Sequence, residues 1–277
     1  MMSTNAPAIV FLTLIAAAPL VWLTVAMFRS PYTPIQTCLF LLDVLLTRVL
    51  WRAVVPERLP LDITQGAVLV CNHRSSIDPF FFQLPAGRPV HWMVAREYCQ
   101  LPIIGHLLRI CEIIPVGRGG VDTAATKEAI RIASGGGLIG MFPEGRINMT
   151  DEFLLPVRPG PVLIALKARV PILPCFVDGS PYDRQVWSPF LMPARVRVRV
   201  GQPIDLSPYY GREREDGIVQ QLICQSMSQV AKLAGYDDYQ PRLAGRQWKP
   251  TSKEISADVA ARIKLRKQTA QYESAND

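Results

Sequence analysis

The sequence predicts an α/β fold: a mixed β-sheet flanked by helices, preceded by an N-terminal helical segment that associates with a membrane. Three observations carry this prediction. From about residue 60, short apolar runs alternate with helical patterns, which is typical of a sheet covered by helices. Before them, residues 8–28 form a long apolar stretch without a charge. Hydrophobic residues make up 49% of the 277-residue chain and charged residues only 19%, so a sizeable core is available.

Residues 8–28 predict a transmembrane helix, because about 20 apolar residues suffice to cross the hydrocarbon core. A cleaved secretory signal fits less well, since no basic residue precedes the stretch and its apolar part is too long. A buried or interfacial helix is a further alternative. Residues 35–55 are also apolar but carry Asp43 and two arginines, which are costly in lipid. We expect this second stretch to lie at the interface or to pack against the first, so that residues 1–58 form a membrane anchor.

The charge pattern gives the anchor an orientation. Four arginines follow the first apolar stretch: Arg29, Arg48, Arg52 and Arg58. The positive-inside rule therefore predicts that the catalytic domain lies on the cytoplasmic face of the membrane. The six cysteines form no CxxC pair and indicate reduced thiols, in agreement with a cytoplasmic domain. The three histidines have no ligand spacing, so no metal is predicted.

Residues 59–235 form the predicted catalytic domain. Its strands are expected at 67–71, 90–95, 111–116, 138–142, 171–177 and 194–201. Its longer helices are expected at 122–133, with Asp122 as N-cap, at 162–168 and at 213–234. In the last predicted strand, valines alternate with arginines, which indicates a half-exposed strand near an edge of the sheet.

Residues 236–277 form a predicted basic C-terminal tail. Beyond residue 240 there are eight Lys and Arg residues against four Asp and Glu residues, in a chain of net charge +7. Residues 252–272 are compatible with a basic amphipathic helix that lies on a membrane. Such a surface favours binding of anionic membrane lipids and of acidic thioester carriers such as coenzyme A or acyl carrier protein. No nucleic-acid partner is expected, because no nucleic-acid-binding motif is present, and the sequence gives no signal for an oligomeric state.

The first candidate site is the block Asn72–Pro79, NHRSSIDP. His73 directly follows an apolar strand, at the end where α/β sheets place their sites. In a tight loop, the carboxylate of Asp78 can accept from one imidazole nitrogen and leave the other as a base for a substrate hydroxyl. A structural reading stays open, since Asp78 before Pro79 is also the pattern of a helix N-cap followed by proline at the first helical position.

Two further blocks follow predicted strands. Arg118 emerges among glycines after the strand at 111–116, and the fork of an arginine suits phosphate. A solvated loop arginine is the alternative there. Glu144, Gly145 and Arg146 come after the next strand, where Glu144 can bind an acceptor hydroxyl or hold an arginine in place. An ordinary turn would have the same composition.

In chain order, four blocks carry a resemblance to a known family: NHRSSIDP, IPVGR, FPEGR and VPILP, the last of which brackets a strand with two prolines. The chain resembles the glycerolipid acyltransferase superfamily, typified by 1-acylglycerol-3-phosphate (lysophosphatidate) acyltransferase. That superfamily shows His-x4-Asp, Pro-x-x-Arg, Phe-Pro-Glu-Gly and Val-Pro-x-x-Pro blocks in the same order. The resemblance covers roughly residues 60–205.

The resemblance implies that His73 is the general base and that Asp78 orients it. It also implies that Arg118, Glu144 and Gly145 line the region that binds the acceptor's phosphate. The implied reaction moves a fatty acyl group from acyl-CoA or acyl carrier protein to the hydroxyl of a lysophospholipid, with 1-acylglycerol-3-phosphate as the first candidate. Neither an acyl-enzyme nor a cofactor other than the acyl donor is expected.

One departure widens the range of acceptors. Arg146 follows Gly145 directly, whereas many lysophosphatidate enzymes continue this block with Thr-Arg-Ser, so the arginine is shifted by one position. Other lyso-lipids, including amino-acid lipids, therefore stay open as acceptors. A transacylase that draws its acyl group from phospholipid is an alternative, and a non-catalytic lipid-binding protein is another. A serine hydrolase is disfavoured because no G-x-S-x-G block occurs.

Overall fold

The computed structural model describes residues 6–117, 122–183, 185 and 187–244 of the chain. Arg118, predicted to bind phosphate, lies outside the described residues. The helix predicted at 252–272 lies outside them as well, together with most of the basic tail.

The described chain begins with α1 (Ala6–Arg29), a helix of 24 residues that contains Pro19. Large apolar side chains along α1 are exposed, among them Phe11 and Trp22. Within the described ranges, no helix combines the length and the apolar character needed to cross a bilayer, so the transmembrane helix predicted at 8–28 is not found there. Membrane association of the N-terminal region stays a prediction.

The second N-terminal helix, α2 (Pro34–Leu45), begins at a capping box. Thr33 Oγ1 accepts from the backbone N–H of Gln36, and Gln36 Oε1 accepts from the backbone N–H of Thr33. One π-helical turn, Leu46–Leu50, follows α2. Gln36 Nε2 also donates to the carbonyl oxygen of Ile110 over 2.7 Å. This bond ties α2 to the α/β domain, a contact that the sequence did not predict.

Six strands form the sheet of the described residues, in the order β3-β2-β4-β1-β5-β6. They are β1 (Ala67–Cys71), β2 (Val90–Ala95), β3 (Ile114–Val116), β4 (Leu138–Met141), β5 (Ile172–Asp178) and β6 (Arg197–Val200). The pairs among β1 to β5 are parallel, and β6 pairs with β5 in the antiparallel sense. The sheet is therefore mixed, as predicted, with the valine–arginine strand at its edge, and most of its strand pairs are parallel.

Helices cover both faces of this sheet. They are α3 (Phe80–Ala86), α4 (Arg96–Cys99), α5 (Pro102–Ile110), α6 (Thr123–Ser134), α7 (Gly160–Ala168) and α8 (Ile218–Ala234). Along β1, Val68 and Val70 join a core with α6, α7 and α8. Leu69 joins a second core on the other face, with Trp51 and with Phe81 of α3. Burial on both faces explains why β1 is an unbroken apolar run.

Two predicted strands are shorter in the structure by more than one residue, for different reasons. The strand predicted at 111–116 begins only at β3, because α5 continues to Ile110 and Glu112 then takes a left-handed backbone conformation with φ +53°. In the last predicted strand, backbone groups of residues 194–196 pair instead with residues 50–54. Both changes come from neighbouring segments of the chain rather than from the strand pattern itself.

The three longer helices predicted within residues 59–235 are confirmed, with one shift. The helix predicted at 213–234 begins at Ile218, because Gly217 has φ +81°, outside the helical range. The predicted N-cap of α6 is present, since Asp122 Oδ1 accepts from the backbone N–H of Ala125 over 3.0 Å.

Candidate active site

The carboxyl ends of β1 and β4 lie side by side, because these strands are parallel neighbours with Val70 opposite Met141. The loops that follow them emerge at one edge of the sheet, where α/β folds place their sites. At this edge Asn72 prolongs the ladder between β1 and β5. Its Nδ2 donates to Val177 O over 2.8 Å, and its Oδ1 accepts from Val177 N over 2.9 Å. The main chain after Asn72 is thereby released from the sheet.

The structure brings His73 and Asp78 together. Asp78 Oδ2 lies 3.0 Å from His73 Nδ1, and Asp78 is fully buried. The same oxygen accepts from the backbone N–H groups of Arg74 at 2.7 Å and Ser75 at 2.8 Å. Because these amides donate to it, the carboxylate acts as an acceptor, and it favours the tautomer with the proton on His73 Nδ1. Nε2 is then the nitrogen that can accept a proton.

The N-cap reading of Asp78 is not the arrangement found. α3 begins at Phe80, and Pro79 occupies the N-cap position without a side-chain hydrogen bond. The Asp78 carboxylate turns back toward residues 73–75 instead. Its role in the structure is to fix the preceding loop and the imidazole, not to cap the following helix.

The His73 imidazole is the first of three stacked aromatic rings. The rings of His73 and Phe142 are 3.8 Å apart between centroids and inclined by only 8°. Phe142 in turn stacks on Trp92 of β2 at 4.7 Å. Gly140 makes room for this arrangement, since a Cβ there would lie 2.4 Å from the Trp92 ring. The ring plane of His73 is therefore fixed by contacts that the sequence did not predict.

Glu144 lies beneath the site rather than on its surface, with 1% of the residue exposed. Its Oε1 accepts from the backbone N–H of His73 and its Oε2 from that of Leu155, each over 2.8 Å. Burial raises the pKa of Glu144 to about 8, against the opposing effect of these two donors. Because both oxygens are engaged by the backbone, this arrangement makes Glu144 a positioning residue, and its predicted contact with substrate stays a prediction.

Arg74 and Asn148 lock the two loops together, and neither was singled out from the sequence. The Arg74 guanidinium donates to carbonyl oxygens of the second loop, those of Asn148, Thr150, Glu152 and Phe153. The backbone N–H of Asn148 donates to His73 O over 2.8 Å. Arg74 stands inside the NHRSSIDP block, which was the one available signal, whereas Asn148 had none.

The other predicted binding residues are distributed unevenly. Gly145, at φ +71°, and Arg146 both line the cavity beside His73. Gly117, the residue before Arg118 in the chain, is held by its backbone N–H at 2.9 Å from Asp122 Oδ2. His73, Gly145 and Arg146 thus line one cavity, whereas Arg118 lies outside the described residues.

The cavity beside His73 has a volume of about 330 Å³, within the usual range for small-molecule sites. Apolar side chains of α2, β2 and α5 form much of its wall: Leu39, Phe40, Met93, Ile104, Leu107 and Leu108. His73 and Arg146 line the cavity from the two loops, so the space combines an imidazole, a guanidinium and a mainly apolar interior.

Residues 52–178 of the chain match the family described as Acyltransferase. The matched segment contains both loops of the site, with His73, Asp78 and Glu144. These residues are somewhat less than half of the chain, and their match confirms the resemblance carried by the four sequence blocks. The class of protein that the segment defines is an O-acyltransferase.

Two relatives of known name narrow the comparison. The 1-acyl-sn-glycerol-3-phosphate acyltransferase of Bacillus subtilis (strain 168) is 26% identical over 151 residues, covering 53% of this chain and 70% of that protein. The protein of the same name from Limnanthes douglasii is 30% identical over 142 residues, and the match spans only 50% of its length and 50% of this chain. The crystal structure of the 1-acyl-sn-glycerophosphate (LPA) acyltransferase PlsC from Thermotoga maritima covers 66% of this chain and 72% of that chain, at 23% identity and a TM-score of 0.47, a likeness too low to carry an argument.

Proposed function

We propose that the protein transfers a fatty acyl group from a thioester to the free hydroxyl of a lysophospholipid, with 1-acylglycerol-3-phosphate as the first candidate acceptor. The observation that carries the proposal is the His73–Asp78 pair beside an apolar cavity. The family of residues 52–178 supports the reaction type, and the names of two relatives support the acceptor.

In the proposed reaction, the acceptor hydroxyl donates a hydrogen bond to His73 Nε2. The hydroxyl oxygen attacks the thioester carbonyl carbon while its proton moves to Nε2, and a tetrahedral oxyanion forms. Collapse of this intermediate breaks the carbon–sulfur bond, and the leaving thiolate takes the proton from Nε2. Between the two steps Asp78 stabilises the imidazolium, because its carboxylate lies 3.0 Å from Nδ1.

A covalent route through the cysteine that precedes this loop is disfavoured. Cys71 is fully buried, and its thiol donates to Asn72 Oδ1. Burial raises the pKa of Cys71 well above its usual value, so the group is a thiol rather than a thiolate. Direct transfer between donor and acceptor is therefore the route that we propose.

We assign the acyl chain and an anionic group of the substrates to different parts of the cavity wall. Its apolar wall suits the acyl chain of a donor such as acyl-CoA or acyl-acyl carrier protein. Arg146 lines the same cavity as His73, which places a cation where an anionic group of the substrate can approach. Arg118 is our second candidate for the acceptor's phosphate, on the basis of the IPVGR block.

We propose that the reaction takes place at a membrane, with the catalytic domain on its cytoplasmic face. On α1, the consecutive residues Val10, Phe11 and Leu12 are 57%, 62% and 63% exposed. Successive helical residues point about 100° apart, so apolar surface lies on several sides of α1 and favours contact with lipid over contact with water. Alkaline extraction of membranes that hold the full-length chain tests this point, and release into the soluble fraction would contradict it.

The activity is tested with the full-length chain in phospholipid vesicles. Palmitoyl-CoA and palmitoyl-acyl carrier protein are offered as donors, each with a panel of lyso-lipids, and released thiol and lipid product are both measured. We expect product from lysophosphatidate only when a thioester is present, and none with His73→Ala. Product formed from phospholipid without a thioester would indicate the transacylase instead. Lipid binding without product from any donor would favour the non-catalytic alternative.

A further inference from the structure

One side chain on the cavity wall is not explained by the reaction. Asp43, on α2, lines the same cavity as His73 and is only 5% exposed. Thr47 Oγ1 donates to Asp43 Oδ1 over 3.1 Å. Asp43 Oδ2 is buried and has no hydrogen-bond partner within the part of the chain that the structure describes. A buried polar atom without a partner costs about 1–3 kcal/mol, so a group retained in this state calls for a ligand.

Two polar side chains near Asp43 already have partners. Gln36 uses its side-chain nitrogen on the carbonyl oxygen of Ile110 and on Glu112 Oε1. The hydroxyl oxygen of Tyr32 accepts from Gln83 Nε2 over 2.9 Å. Asp43 Oδ2, in contrast, keeps its hydrogen-bonding capacity; among the described residues of the cavity wall, Trp92 Nε1 is likewise buried without a partner.

The chemical class of the ligand follows from the surroundings. Burial raises the pKa of Asp43 to about 8, so the carboxyl is mostly neutral at pH 7. Burial also raises the pKa values of the facing groups, Tyr32 to about 12 and Cys111 to about 11, and Asp43 adds to both shifts. A neutral carboxyl in an apolar enclosure suits a neutral group that both donates and accepts, because bringing in an ammonium would add a desolvation cost.

We propose that Asp43 forms a polar subsite for a hydroxyl group carried on the acyl chain of the donor, away from the thioester, and that the enzyme thereby prefers hydroxylated acyl chains. This inference rests on the proposed acyl transfer and on placement of the acyl chain in the cavity. A plain alkyl chain would leave Asp43 Oδ2 without a partner, whereas the oxygen of a hydroxyl at the matching position would accept from the protonated Oδ2. The preference belongs to the wall of the cavity and not to the catalytic pair.

The experiment compares acyl-CoA donors of equal length that are plain or carry one hydroxyl at position 3, at mid-chain or near the methyl end. With lysophosphatidate as acceptor, kcat/KM is measured for the wild type, Asp43→Asn, Asp43→Leu and the control Gln36→Met. We expect one hydroxyl position to be preferred over the plain chain by about tenfold, the size expected when a buried polar group gains a partner. Asp43→Asn should keep a preference, Asp43→Leu should lose it, and Gln36→Met should leave the ratio as it is.

Each outcome decides a different point. Transfer of plain chains with no preference for any hydroxyl position overturns the subsite and leaves the proposed reaction intact. A preference that persists in Asp43→Leu also overturns it, provided that the variant melts as the wild type does. Failure to use any thioester removes the proposed reaction, and the subsite with it.

Discussion

The two site loops (residues 72–78 and 142–155) and the apolar wall formed by α2 and α5 meet at one cavity but are built differently. Directed hydrogen bonds hold the loops, such as those from Arg74 to four carbonyl oxygens and from two backbone amides to Glu144. The wall consists mainly of apolar contacts, which have no preferred direction. Proton transfer needs fixed geometry, whereas a wall held mainly by apolar contacts accepts different chains. The comparison teaches that the loops should determine rate and the wall should determine which acyl chain is used.

The largest expected effect on rate comes from removal of the His73 imidazole in the loops. His73→Ala is expected to lower kcat by about 10²–10⁴, the usual contribution of a general base, with little change in melting temperature. Asp78→Asn should also be severe, because an amide that donates to Nδ1 favours the wrong tautomer. Initial rates and thermal melts of both variants check this. A His73→Ala variant that keeps more than about a tenth of the activity would remove His73 from the role of base.

Substitution of Arg118 tests whether a loop residue also recognises the acceptor. Arg118→Ala is expected to raise the acceptor's KM about 10–100-fold and to change the donor's KM little, since a charge-assisted fork to phosphate contributes about 1.5–3 kcal/mol. Arg118→Lys should recover only part of this. The competing role is a structural ion pair, for which Asp122 is a poor partner because Arg96 already contacts it at 2.8 Å. Equal damage to both KM values with a lower melting temperature would favour the structural role.

Disruption of the aromatic stack, which also belongs to the loops, should lower the rate less than removal of His73. Phe142→Leu keeps an apolar side chain but removes the flat face 3.8 Å from the His73 ring. We expect kcat to fall about tenfold with both KM values nearly unchanged, because the base is misaligned rather than lost. Phe142→Tyr preserves the stack and serves as the matched control. A loss confined to KM would place Phe142 in substrate binding instead.

The smallest effect compares two buried carboxyls, Glu144 in the loops and Asp43 in the wall. Burial raises the pKa of each to about 8, so each holds its proton in the folded protein at pH values where the unfolded chain has released it. Their contribution to stability is present below the unfolded pKa of about 4 and is lost as pH rises to about 8. We expect the melting temperature of the wild type to be lower at pH 8 than at pH 5 because of these groups.

Relative to the wild type, we expect one carboxyl variant to raise the melting temperature and the other to lower it. Asp43→Asn removes the pH-dependent loss and keeps a hydrogen-bonding side chain, so it should melt higher than the wild type at pH 8. Glu144→Gln has one acceptor oxygen for the two backbone N–H groups of His73 and Leu155, so it should melt lower despite its flatter pH profile. Thermal melts at pH 5 and 8 check both. Identical pH slopes in all three proteins would contradict the raised pKa values.

Much of the sheet could be predicted because its strands are local apolar runs. Ala67–Cys71 and Val90–Ala95 have the predicted bounds, and Asp122 caps α6 as its position before an amphipathic run suggests. The early start of the strand predicted at 111–116 failed because the preceding helix extends into it. Apolar periodicity is the same for the end of a buried helix and the start of a buried strand, so it cannot mark that boundary.

The site could be predicted only where its residues are close in sequence. His73 and Asp78 are five positions apart, and that spacing indicated their contact. The stacking of Phe142 on His73 and the hydrogen bond from the His73 backbone N–H to Glu144 join residues about 70 positions apart. These contacts depend on β1 and β4 being neighbours, which strand patterns alone do not give. Asp43 shows the same limit, since its burial beside the cavity depends on how α2 packs.

The side chain of Asn72 has a consequence for the path of the main chain at this edge. Its amide presents one donor and one acceptor to Val177, the same pair that a peptide group would present. The sheet is therefore one rung longer than its backbone, and the segment that carries the base departs without leaving the neighbouring strand unsatisfied. The backbone N–H and carbonyl of Val177 therefore stay paired whatever path the main chain takes after position 72. The chain can thus turn away toward α3 while the strand beside it keeps its hydrogen bonds.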